Sequence, residues 1–369
     1  MKSFLFKFTF ILFVSHNAYA SELQKQLEAL RSKYVIPGMS AAIYVNDSLV
    51  AHAVSGIRKV GHPTLISKED KFHLGSCTKS ITATLAATFV EEGKLNWKDK
   101  VSDLLEHLNI HPELKEVTFE MLLSHQSGIR PNPDQETYLK LSQLETQIGR
   151  EESTKIYLSQ APQFKVGKYE YSNLGYIIAG HILERIAERS WEELIQERIF
   201  EPLNMETCGF GPTSQATEDI PTQPWGHYLQ EFSIKPIQHD NAPFYGPAAN
   251  IHCSMNDWTK LLAVHMNGYK QRATFLNQES FNQLHKISSS PESQYTYGGW
   301  FLGKREWAQG AVLQHTGTNT YNFATVWIAP ETETILISTS NRGTASGFSA
   351  TSDAISSMIQ LFINKPKKD

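Results

Sequence analysis

Strand-type sequence sits at the two ends of this 369-residue chain and is scarce between them. Near the start, MSAAIYV (39–45) and SLVAHAVS (48–55) are β-type runs joined by Asn46-Asp47, a hairpin signal. From residue 294 the character turns to β again, in YGGWFLG, GAVLQHTG, YNFATVWIA and TETILISTS, with Pro330-Glu331 as a turn. Between them the pattern is mostly helical. TKSITATLAATFVEEGKL (78–95) places Ile81, Leu85 and Phe89 on one face and stops at Gly93. NLGYIIAGHILERIAERSWEELIQERIF (173–200) reads as two helices with a break near Arg189-Ser190, and Ser254 with Asp257 marks a further helix start. One antiparallel sheet built from both chain ends, flanked by helices and completed by a helical region, is the economical fold: α/β in the α+β sense. The expected division is an α/β part at about 21–80 and 290–369 and a mostly helical part at about 81–289, all within one domain over residues 21–369.

Residues 1–20 are expected not to belong to that domain. Lys2 and Lys7 give a positive start, FTFILFV is an apolar run too short to span a bilayer, and Ala18-Tyr19-Ala20 is a small-x-small cleavage site. A secretory leader cut near Ala20 is the reading, with a periplasmic or secreted mature protein and no stable membrane span. No later run is long and apolar enough to cross a membrane. Export puts Cys77, Cys208 and Cys253 in an oxidising compartment. Three is odd, so at least one thiol is unpaired within the chain, and which two pair, if any, stays open. Cys77 reads as a small buried hydrophobe. A net charge of -4 gives no footing for nucleic acid.

The stretch HLGSCTKSI (73–81) concentrates nucleophiles. Ser76 follows a strand and opens a helix, which exposes its backbone N–H. Lys79 stands three residues on, on the same helical face, where partial burial can push an amine toward neutrality and make it a base for the hydroxyl. By itself Ser-x-x-Lys is a common surface-helix pattern. Two further stretches give it weight: Tyr171-Ser172-Asn173 just before a helix, and His315-Thr316-Gly317 at the end of a β run.

In that order the three motifs resemble those of the penicillin-recognising serine hydrolases. The nearest branch holds class C β-lactamases, D-Ala-D-Ala carboxypeptidases, D-aminopeptidases and related esterases. LLSHQSGI (122–129) and IFEPLNMETCGF (199–210) resemble supporting segments of that family, the latter with Asn204 where glycine is usual. The resemblance covers nearly all of the chain after the leader and implies a β-lactamase/transpeptidase-like fold. By resemblance, Ser76 is the nucleophile that forms an acyl-enzyme, and Lys79 and Tyr171 share the general-base work, Tyr171 as a phenolate favoured by the ammonium. Asn173 donates its amide to substrate and holds Lys79. The backbone N–H groups of Ser76 and Thr318 form the oxyanion hole. Gly317 lets substrate pair with the strand edge, and His315 and Thr316 face its carboxylate or leaving group. Neither metal nor cofactor is implied. The partner is a small-molecule or short-peptide substrate, peptidoglycan-derived peptides included, and the expected state is a monomer.

Two departures shape expectations. His315 stands where β-lactamases have lysine, which tilts the reading from β-lactams toward short D-amino-acid peptides first and small esters second. With an ordinary histidine pKa of about 6.5, His315 would gain charge in mild acid and then favour anionic substrates. Ala249-Asn250 replaces a Gly-Gly, so Asn250 is expected in left-handed backbone. His107 and His111, four apart but followed by Pro112, read as surface or structural residues, and His125 as structural. A catalytically silent binding protein is the competing reading; intact Ser76, Lys79, Tyr171 and Asn173 argue against it.

Overall fold

The computed structural model describes residues 19–214, 217 and 219–363, so residues 1–18 of the expected leader lie outside the described residues. A first helix, α1 (19–33), precedes the hairpin β1 (Gly38–Val45) and β2 (Ser48–Gly56), the short strand β3 (Lys71–His73) and α2 (Thr78–Glu91). The middle of the chain forms α3 (Val101–Leu104), α4 (Phe119–Leu123), α5 (Gln135–Leu141), α6 (Thr146–Leu158), α7 (Asn173–Ala187) and α8 (Trp191–Ile195). Then follow β4 (Gly209–Phe210), β5 (Gly226–Gln230), β6 (Ser233–Ile237), α9 (Gly246–Ala249), β7 (Ile251–Ser254), α10 (Met255–Tyr269) and α11 (Gln278–Leu284). The chain closes with β8 (Phe301–Arg305), β9 (Gly310–Thr318), β10 (Phe323–Ala329), β11 (Thr334–Ser340) and α12 (Thr344–Met358).

Both ends do build one antiparallel sheet, in the order β2-β1-β11-β10-β9-β8. The closure is β1 against β11, from Met39 opposite Ser340 to Val45 opposite Thr334. Asn46 and Asp47 both take positive φ, at 50° and 57°, which is the turn that a two-residue hairpin needs. β11 is buried along its whole length because both sheet faces are covered. Ile335 and Ile337 face α10 and join the apolar cluster that also holds α2 and α7, while Leu336, with Ala41 and Ile43, packs under α1 and α12 through Leu23, Leu27, Ala354 and Met358.

The region expected to be helical also carries four short strands. β3, β7 and β4 form a small sheet, and β5 with β6 forms a separate hairpin. Their sequence signal is weak for physical reasons. β4 is two residues long, and β6 (SIKPI) contains a proline and is solvated along its length, so no apolar alternation marks it. Cys208 is disulfide-bonded to Cys253, tying the approach to β4 to β7, and Cys77 is free and buried. Asn250 is not left-handed: its φ is -115°, and its side-chain amide closes the turn by donating to the Asn241 and Ala242 carbonyls at 3.1 and 3.4 Å. Asn204 does take positive φ, at 53°, where a glycine would be at ease. Among the described residues no helix is long and apolar enough to cross a membrane.

Candidate active site

Ser76 lies in a single 3-10 turn, Gly75–Cys77, that joins β3 to α2. The turn is pinned from outside: Leu74 N–H donates to the Ile251 carbonyl of β7 at 2.8 Å, and Ile251 N–H donates to Thr78 Oγ1 at 3.2 Å. It also presses on the end of β9. Gly75 has φ +52°, and a Cβ there would stand 2.2 Å from the Thr318 nitrogen. A Cβ on Gly317 would stand 2.6 Å from the Ser76 nitrogen. Two glycines therefore let the backbone N–H groups of Ser76 and Thr318 approach one small volume, as an oxyanion hole requires. β8 pairs with β9 only from Gly310 to Gln314, so no described strand covers this edge of β9 from His315 to Thr318.

Lys79 is wholly buried one helical turn on. Its Nζ donates to Asn173 Oδ1 at 2.6 Å and to the Ala248 carbonyl at 2.9 Å, and lies 3.3 Å from Ser76 Oγ. A neutral amine has two hydrogens and one lone pair. The two acceptors take the hydrogens, which leaves the lone pair for the Ser76 hydroxyl proton. Burial acts in the same direction, bringing the ammonium down from 10.5 to about 7.

Tyr171 is half-buried against this group, with its ring centroid 4.8 Å from Lys79 Nζ and its hydroxyl hydrogen-bonded to the Ser76 side chain. Desolvation pushes its phenol up, which disfavours the phenolate expected from sequence. Desolvation thus favours the neutral form of both Lys79 and Tyr171. Asn173 begins α7. Its Oδ1 holds Lys79, as expected, but its amide donates to Asn132 Oδ1 at 2.7 Å. Asn132, which also accepts from the Tyr245 hydroxyl at 3.2 Å, was not marked by any sequence pattern. His125, at φ +61°, accepts from Ser172 N–H at 3.0 Å and stacks on Tyr171 at 4.3 Å, so LLSHQSGI buttresses the Tyr-x-Asn motif.

His315 departs most from expectation. It is buried on the inner face of β9, with Nδ1 2.7 Å from the Thr316 carbonyl and Nε2 3.3 Å from the Tyr295 hydroxyl. A carbonyl only accepts, so Nδ1 carries the proton and Nε2 accepts from Tyr295; neither nitrogen is left for a substrate carboxylate. Burial, with Lys79 nearby, lowers its pKa to about 3, far from the mildly acidic titration expected of it. Thr316, next along the strand, is exposed.

A second set of residues escaped sequence reading. His73 Nδ1 accepts from Gly75 N–H at 3.0 Å, and its Nε2 donates to Asp240 Oδ2 at 2.7 Å. Asp240 Oδ1 accepts from Asn319 Nδ2 at 2.9 Å and from Asn241 N–H at 2.8 Å. One buried carboxylate thus links the residue before Ser76 to the residue after Thr318. Its members come from three distant stretches, so no spacing could have grouped them.

The Beta-lactamase family model matches residues 23–356. Protein flp of Staphylococcus aureus strain N315 is 24% identical over 310 residues, covering 82% of this chain and 59% of that protein. The chain therefore spans less than two thirds of that relative's length. The octameric penicillin-binding protein homologue from Pyrococcus abyssi superposes with a TM-score of 0.77 at 22% identity, over 94% of this chain and 78% of that one. A D-stereospecific amidohydrolase from Streptomyces sp. gives 0.71 at 19% identity, over 94% and 99%. These two structures share the fold.

Proposed function

Because the chain belongs to the beta-lactamase family, whose members are serine hydrolases, we propose that it hydrolyses small amides and esters through an acyl-enzyme on Ser76. The observation that carries this reading is the environment of Lys79: two acceptors for its hydrogens, a lone pair facing Ser76 Oγ at 3.3 Å, and burial that brings its pKa to about 7. Lys79 takes the Ser76 proton as Oγ attacks the carbonyl carbon. The N–H groups of Ser76 and Thr318 receive the oxyanion. The proton then passes from Lys79, with the Tyr171 hydroxyl beside it, to the leaving nitrogen or oxygen. Water, activated by the same amine, releases the acid. Asn173 holds Lys79, and Gly317 opens the strand edge to the substrate.

Short peptides and amides of D-amino acids are the first substrate class, small esters the second and β-lactams the third. Histidine in place of lysine at 315 supports that ranking, as does the likeness in fold to a D-stereospecific amidohydrolase. The charged start, apolar run and Ala18-Tyr19-Ala20 support export, with peptidoglycan-derived peptides within reach and a monomer as the working form. A fluorophosphonate probe followed by peptide mass spectrometry tests the centre. The adduct belongs on Ser76, and Ser76→Ala abolishes both labelling and turnover; a labelled Cys77, or full turnover by Ser76→Ala, overturns the reading.

A further inference from the structure

Beside the uncovered edge of β9 lies a groove of about 310 Å3 between the sheet and α12. Phe301, Thr316, Trp327, Phe348, Ser352 and Ile355 are among its walls. None of the described residues lining it is an Asp, Glu, Lys or Arg. The one titratable residue on its wall, His315, stays neutral at working pH because burial and the nearby Lys79 hold it at about 3. Arg305 lies 5.4 Å from the Trp327 ring but does not itself line the groove.

The direction in which a substrate lies follows from where protons must go. Forming the acyl-enzyme makes one bond, Oγ of Ser76 to the carbonyl carbon, and breaks another, carbon to the leaving oxygen or nitrogen. The serine proton ends on that leaving atom. The groups that can deliver it are Lys79 and Tyr171, and the β9 residue on their side is His315: the His125 ring contacts both Tyr171 and Tyr295, and the Tyr295 hydroxyl meets His315 Nε2 at 3.3 Å. The oxyanion donor on β9 is Thr318, three residues further along. A substrate on the open edge therefore points its acyl part toward Thr318–Asn319 and its leaving group past Thr316, straight to the groove. We propose that the groove is the leaving-group subsite and that it takes neutral, apolar leaving groups such as an aryl or short alkyl alcohol or amine, while disfavouring those that carry a carboxylate. A carboxylate there would lose water and meet no cation, whereas aromatic and aliphatic carbon would be buried against Phe301, Trp327, Phe348 and Ile355. This narrows the acyl-enzyme reading and rests on it: uncapped D-Ala-D-Ala-type peptides become poor substrates, and amides or esters of the same acids become good ones.

Phenyl acetate and 4-carboxyphenyl acetate differ chiefly in the charge on the leaving group and, with each rate taken relative to that ester's own hydroxide-catalysed hydrolysis, test it on the purified full chain. The expected result is a kcat/KM for phenyl acetate that is about 10- to 100-fold higher, the range for a charged group that finds no partner. Ser352→Arg and Ser356→Arg, on solvent-reaching positions of α12 that line the groove, supply the missing cation. In each the ratio should move about tenfold toward the carboxylate ester. A wild-type ratio near one, or a ratio unmoved in both arginine variants, overturns the subsite assignment while leaving the acyl-enzyme intact. Failure of both esters to acylate Ser76 by mass spectrometry is a different failure: it overturns the acyl-enzyme reading, and the subsite with it.

Discussion

The two walls of the cleft solve opposite problems. On the side where protons move, Lys79, Tyr176, Tyr295, His125 and His315 are buried with the half-buried Tyr171 packed among them, and desolvation drives every one of them toward its neutral form. On the side where the oxyanion forms, a buried carboxylate is kept: Asp240 receives N–H groups from His73, Asn319 and Asn241. The difference follows from what each wall must deliver. A proton acceptor has to be free of charge at working pH, so the first wall is stripped of carboxylates that would hold Lys79 as an ammonium. A pair of backbone donors has to be fixed in space, and a carboxylate that accepts several hydrogen bonds is a stiff anchor, tolerated because it is satisfied. Asp240 reaches the chemistry through Gly75 and Asn319, so it is a positioning residue.

The largest effect should come from breaking the neutral wall. Lys79→Met keeps much of the apolar volume and removes the lone pair that faces Ser76. Its kcat/KM is expected to fall by about 10³-fold, within the range for loss of a general base, with no recovery on raising the pH to about 9. The wild type should show an acid limb near pH 7, where Lys79 titrates, with activity falling about tenfold per unit below it. The stability sign runs the same way. The folded pKa of about 7 lies below the free value of 10.5, so between those values the unfolded chain binds the extra proton. Stability contributed by this site is therefore present above about 10.5, is lost as pH falls through that window, and levels off below about 7. A wild-type profile flat from pH 5 to 9 would mean that Lys79 reacts as a charged group and that the two walls do not differ as described.

The anchored wall should respond less, and differently. Asp240→Ala cuts the link between Gly75 and Asn319 and is expected to lower kcat by about 10- to 100-fold, less than outright removal of an oxyanion donor, with a smaller change in KM. The acid limb should stay near pH 7, because Asp240 does not hold Lys79. Asp240→Asn retains an acceptor for one neighbour and should recover part of the loss. If Asp240→Ala instead shifts the acid limb with kcat little changed, the carboxylate acts through charge on Lys79, and the separation between positioning wall and proton wall collapses.

How far this contrast could be read in advance depended on sequence distance. Ser76 and Lys79 were visible because a helix brings i and i+3 to one face, and Tyr171 and Asn173 because they precede a helix start. The sheet was visible because β-type runs cluster at the ends and helix-type periodicity lies between them. Nothing comparable marks His73, Asp240 and Asn319, each an ordinary polar residue in its own stretch, joined only when β3, β9 and the loop before α9 meet. The β5–β6 hairpin was hidden because β6 is solvated along its length and β5 buries only Gly226 and His227, so neither carries an apolar alternation. Protonation states were hidden for another reason: they depend on how much water burial removes, which is a property of the packed cleft and not of the motif. Tyr171 as a phenolate, and His315 as a titrating contact, both followed from chemistry natural to an exposed side chain; desolvation disfavours the first, and burial with both ring nitrogens partnered removes the second.

The smallest expected effect is the one that histidine at 315 makes tempting to overlook. An exposed histidine beside the substrate would charge near pH 6.5, and a carboxylate substrate would then gain on its methyl ester as the medium is acidified. Here both ring nitrogens are occupied, Nδ1–H donating to Thr316 O and Nε2 accepting from Tyr295, and burial holds the pKa at about 3. The ratio of kcat/KM for the two substrates should therefore stay constant from about pH 5 to 9, both profiles following the single Lys79 limb. Tyr295→Phe sharpens the measurement, since it removes the phenol that donates to Nε2 and leaves the ring in place. That nitrogen then lacks a donor, yet desolvation, the larger cause of the low pKa, persists, so the ratio should remain flat. A carboxylate preference that grows in acid in the wild type would place a protonated His315 on the substrate and return charge to the wall that otherwise excludes it. If the preference grows only in Tyr295→Phe, the phenol hydrogen bond, rather than burial, is what keeps His315 neutral.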